Sequence, residues 1–116
     1  MRKPHTFDLE IFEHSYTFCL GWRPADFIRW FRKTYDRDMT ELLDEAEGLC
    51  IRVPKHNLIV IWTAKKSDVI LIHECLHATN MTLSDIGHEA ALSNDEVQAY
   101  LLSLLFMKAK GSRRQK

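Results

Sequence analysis

His73-Glu74-Cys75-Leu76-His77 is the stretch of this chain whose residue types and spacing carry chemistry. The pattern H-E-x-x-H on a helix sets two imidazoles at i and i+4, on one face and roughly 5–6 Å apart at Cβ. Two ring nitrogens so placed can meet one zinc ion at about 2.0–2.1 Å each. Glu74, about 100° further round, is poorly placed to be a ligand. It is well placed to take a proton from a metal-activated water. The chemistry implied is zinc-dependent hydrolysis, with Glu74 as general base and a peptide or protein as substrate.

A catalytic zinc needs a third protein ligand and an open position. Asp85, His88, Glu89, Asp95 and Glu96 are the downstream candidates, because the position six residues past His77 is Leu83 and not a third histidine. Glu96, Tyr100 and Ser103 form one polar stripe at helical spacing among Val97, Leu101, Leu102, Leu104, Leu105 and Phe106. A helix packed on the motif helix can bring Glu96 to the metal. Ser93-Asn94-Asp95-Glu96 also matches the capping box S-x-x-E, in which Glu96 would bond its own helix start. Tyr100, one turn on, suits an oxyanion donor or a partner of Glu96, and equally a core tyrosine. Cys75 faces away from His73 and reads as core.

The elements that must position these groups are legible from periodicity. Residues 6–13 and 15–20 alternate apolar and polar, which predicts a hairpin around Glu13–His14. Pro24 suits a helix start, and Phe27, Ile28, Trp30, Phe31 and Tyr35 recur at helical spacing over 25–35. Residues 36–48 are acidic, with room for a short helix from Thr40 to Ala46. Leu49–Val53 and Leu58–Trp62 read as strands, the second apolar on both faces and therefore central. Ser67 caps a helix over 68–82 that is apolar nearly all round and so is expected to be buried. A last helix over 95–109, capped by Ser93 or Asn94, precedes a basic tail.

The stretch 70–78 together with Asn94-Asp95-Glu96-Val97-Gln98-Ala99-Tyr100-Leu101-Leu102 resembles the small zincin-like metallopeptidases of tailed bacteriophages. More distantly it is similar to the gluzincins. The resemblance is strong over 70–105 and looser over the strands. It implies zinc held by His73, His77 and Glu96, with Glu74 as base. It also implies an α+β fold: a small twisted, mainly antiparallel sheet packed on the motif helix and a C-terminal helix. A zinc-stabilised phage assembly or host-interaction protein that cleaves nothing shares the same ligands.

Size and charge bound the rest. A chain of 116 residues supports one domain, drawn here as 1–110 with a flexible basic tail at 111–116. Sixteen basic residues against sixteen acidic ones argue against a nucleic-acid partner. No apolar run is long enough for a membrane span, and Met-Arg-Lys-Pro-His is unlike a signal peptide, so a cytoplasmic location is expected. Three cysteines with no CxxC fit reduced thiols.

Overall fold

A computed structural model describes residues 3–87 and 96–112. The chain runs β1 (His5–Leu9), β2 (His14–Leu20), α1 (Pro24–Tyr35), α2 (Thr40–Leu43), β3 (Gly48–Val53), β4 (Leu58–Thr63), α3 (Asp68–Asp85) and α4 (Glu96–Ser112). The strands form one sheet in the order β1-β2-β4-β3. Both outer pairings are antiparallel, as expected. The central pairing, β2 with β4, is parallel and sets Tyr16 beside Ile59 and Phe18 beside Ile61. The α+β class expected from the sequence is therefore present, with a mixed sheet.

A strand that is paired on both edges and covered on both faces must be apolar throughout. β4 meets that requirement, since every residue from Leu58 to Thr63 is buried. Leu58, Val60 and Trp62 point to a layer formed by α1 and α2, where they pack with Phe27, Phe31, Met39 and Leu43. Ile59 and Ile61 point the other way, onto Leu71, Cys75, Ala78, Leu101 and Leu105 of α3 and α4. The sheet is thus covered on both sides, α1 on one and the α3–α4 pair on the other.

The first strand is shorter than its alternation predicts. Residues Glu10–Phe12 form a 3-10 turn, closed by Glu13 in the left-handed conformation, and Ile11 is 79% exposed. An equivalent turn, Pro54–His56 closed by left-handed Asn57, joins β3 to β4. Asn57 ties the two turns together by donating its side-chain amide to the Glu13 carbonyl. Pro24 takes the first helical position of α1, where its missing N–H costs nothing. The Ser67 hydroxyl caps α3 by accepting from the Ile70 N–H at 3.4 Å.

α3 extends three residues beyond its predicted end, to Asp85. Its expected burial on all sides is not observed. Leu71, Glu74, Cys75, Ala78, Thr79, Thr82 and Leu83 face inward, while Val69, Ile72, His73, Leu76 and His77 face solvent. α4 continues through Gly111 and Ser112, so those two residues belong to the helix and not to the tail. Ser93, Asn94 and Asp95, with the expected cap and capping box, lie outside the described residues, as do His88, Glu89 and the end of the basic tail. Among the described residues no helix is long and apolar enough to cross a membrane.

Candidate metal centre

The two motif histidines converge. Their Nε2 atoms lie 3.1 Å apart, with ring planes at 83° and centroids 4.7 Å apart. Nitrogens bound to one tetrahedral ion at ~2.0–2.1 Å lie roughly 3.3–3.4 Å from each other. The observed spacing corresponds to an angle of about 100° at a shared ion. Both imidazoles are exposed, so a cation from solution can reach them. By chemistry and spacing this pair of donors fits a divalent cation.

Glu74 sits in a different environment one turn away. It is 7% exposed and lies on the flank of α3 that meets the edge strand β3, with its Oε2 against Gly48. Burial raises its pKa above the ordinary carboxylate value, and His73 and His77 pull it back down. Among the described residues no donor hydrogen-bonds its carboxylate. On helical geometry His77 is about 60° from Glu74 and His73 about 100°, both towards solvent. A buried acid with a raised proton affinity thus stands beside two open imidazoles. That arrangement suits proton transfer at whatever the imidazoles hold.

Glu96 is not brought to the pair. Among the described residues no three His, Cys, Asp or Glu side chains group closely enough to hold a metal. The reason lies in the helix register. Asn80 accepts a hydrogen bond from Gln98 at 2.6 Å, and Lys110 pairs with Asp68 at 3.3 Å. These contacts run α3 and α4 antiparallel, and the two ties are twelve residues apart on each helix. Glu96 then stands level with Thr82, about 7–8 Å along the axis beyond His77. It is exposed at the start of α4. Tyr100 is 71% exposed, so it is no core tyrosine. It stands level with Ala78 and close in height to His77.

Asp85, another candidate ligand, is committed elsewhere. Its carboxylate takes His14 Nε2 on one oxygen and Arg52 on the other, each at 3.0 Å. His14 also bonds the Phe12 carbonyl through Nδ1 at 2.6 Å. Both of its ring nitrogens are therefore taken up by protein oxygens, so neither is free for a metal. Arg52 reaches the Met81 carbonyl as well, at 3.4 Å. These groups line a cavity of about 160 Å³ at the C-terminal end of α3.

Sequence reasoning missed two features here. One is this clamp, whose three members are scattered along the chain and carry no shared spacing. The other is Gly48. A glycine inside a strand marks close approach of another group, and that signal was present. Trp22 and Trp62 are core residues, and all three cysteines are free. Searches against protein-family models, curated proteins and solved structures found no match to this chain.

Proposed function

We propose that the chain is a zinc-dependent hydrolase of the metallopeptidase type, with His73 and His77 holding the cation and Glu74 as its proton acceptor. The observation that carries this reading is the 3.1 Å approach of the two Nε2 atoms beside a buried carboxylate. The set is completed by Glu96, the third ligand implied by the zincin resemblance. Glu96 meets the pair only if the first turn of α4 closes towards His77.

A bound zinc supplies Lewis acidity, which polarises a carbonyl and makes water easier to deprotonate. The protein does the rest. Glu74 accepts a proton from the attacking water and delivers it to the departing amine. Its burial raises the carboxylate's proton affinity, the direction that favours holding the proton between the two transfers. Tyr100 is the candidate to steady a developing oxyanion. β3 is the sheet edge beside Glu74, and its open side suits an extended peptide.

The test is a peptide-library cleavage screen run with metal analysis of the same sample. Glu74→Gln is expected to retain zinc and to lose cleavage by a factor of at least about 10². Unchanged turnover would remove Glu74 from the mechanism. Glu96→Ala is expected to weaken zinc binding more than Asp95→Ala or His88→Ala, and equal losses would mean that the third ligand is another residue.

One observation favours a second reading, a zinc-stabilised interaction protein that cleaves nothing. Val69, Ile72 and Leu76 on α3 and Val97, Tyr100 and Met107 on α4 are exposed large apolar side chains. A partner helix or sheet would cover such a surface. Zinc binding without cleavage of any library peptide would select that reading.

A further inference from the structure

Gly48 opens the edge strand β3 where it passes over α3. A Cβ added there would lie 2.7 Å from Ile70 Cγ2, 2.9 Å from Glu74 Oε2 and 3.1 Å from Glu74 Cγ. The first two are closer than nonbonded atoms of these types can stand. The positive-φ glycines are Gly21 and Gly87, so Gly48 has ordinary strand backbone. What glycine provides here is space and not conformation: a side chain at 48 would force Ile70 or Glu74 to shift. The space it leaves is filled by the carboxylate of Glu74.

Two side chains share that space, and they have separate consequences. Ile70 is one turn before Glu74, so a clash with it acts on how closely α3 seats against β3. A clash with Glu74 acts on the acid itself. Cys50, two residues along β3 and on the same face, is half-buried and packs on Met81 further down α3. A side chain at 50 is therefore accommodated between β3 and α3, whereas one at 48 would displace Ile70 or Glu74.

We infer that Gly48 is a positioning residue for Glu74: the side chain it lacks is what allows the carboxylate to rest between β3 and α3, next to the two imidazoles. The inference deepens the hydrolase reading and rests on it for its catalytic meaning. The placement of Glu74 is a property of the metal-free protein and can be tested there alone.

The experiment compares wild type, Gly48→Ala, Ile70→Ala and the Gly48→Ala/Ile70→Ala double variant. The glutamate side-chain carboxyls are ¹³C-labelled, and the Glu74 resonance is assigned by its loss in Glu74→Gln. In metal-free protein, Gly48→Ala and the double variant are both expected to displace the Glu74 resonance, while Ile70→Ala alone leaves it close to wild type. The zinc affinity of the double variant is expected to stay within about threefold of wild type, since the atoms nearest a side chain at 48 belong to Ile70 and Glu74 and not to the imidazoles. On any peptide the wild type cleaves, its kcat is expected to fall at least tenfold with KM within about twofold. Return of the Glu74 resonance to its wild-type position in the double variant would show that Gly48 acts through Ile70 packing alone, and would overturn the inference. If Gly48→Ala melts too low for spectroscopy, adding Glu74→Ala is expected to recover most of the lost melting temperature, and no recovery would overturn it equally. Absence of cleavage by wild type counts against the hydrolase reading and leaves the metal-free result to decide the role of Gly48.

Discussion

Glu74 and its flanking histidines occupy opposite environments one helical turn apart, and that contrast follows from where α3 meets the sheet. The motif was legible in the sequence because H-E-x-x-H fixes three side-chain directions at once. Which of the three would be buried was not legible, since that depends on which flank of the helix meets β3. Tyr16 is the other buried titratable group whose environment makes a sharp expectation. Its hydroxyl bonds Thr82 Oγ1 at 2.7 Å, and burial pushes its pKa up to about 12. In the unfolded chain a tyrosine ionises near pH ~10. The unfolded state therefore loses its proton first, and the folding contribution of the phenol is intact below pH ~10 and lost as pH rises towards 12. Denaturant titrations at stepped pH are expected to show stability falling across that window. Tyr16→Phe is expected to flatten the slope, at a cost of about 1 kcal/mol at neutral pH from the lost hydrogen bond. Cys19 and Cys50, also raised by burial, keep part of the alkaline loss in that variant. An undiminished slope in Tyr16→Phe would assign the effect to the other groups raised by burial, Cys19, Cys50 and Tyr35.

At the level of elements, periodicity served well where each face of an element has one environment. β2, β4 and α1 are such cases, and Pro24 and Ser67 mark helix starts where expected. Periodicity failed where apolar residues face solvent. Ile11 continues the alternation of β1 into what is a 3-10 turn, and Val69, Ile72 and Leu76 disguise the open side of α3. Helix register was beyond reach as well, because the ties from Asp68 to Lys110 and from Asn80 to Gln98 are long-range side-chain contacts. That register is what separates Glu96 from the imidazoles. The C-terminal end of α3 is held by the His14–Asp85–Arg52 clamp, which joins β2, α3 and β3. Asp85→Ala leaves the buried imidazole N–H of His14 without its acceptor and is expected to cost about 1–3 kcal/mol. Asp85→Asn keeps an acceptor and is expected to cost less. Thermal melts of the two variants decide this, and equal melting temperatures would mean that the clamp adds little.

Across the whole molecule, a sheet covered on both faces carries its candidate site at one rim. The core clusters meet through the buried strands β2 and β4, while the motif histidines stand on the exposed side of α3 and Glu74 lies against the edge strand β3. This layout gives a rigid floor beneath groups that remain accessible, as a site for a metal and an extended peptide requires. His73 and His77 are proposed to hold a divalent cation together, and the rest of the chemistry depends on it. Zinc titration of metal-free protein by calorimetry, beside His73→Asn, tests it most directly. The expected result is one zinc per chain for wild type, and binding weakened at least about a hundredfold in the variant. Wild-type protein that takes up no zinc, or a His73→Asn variant that binds it equally well, would contradict the account.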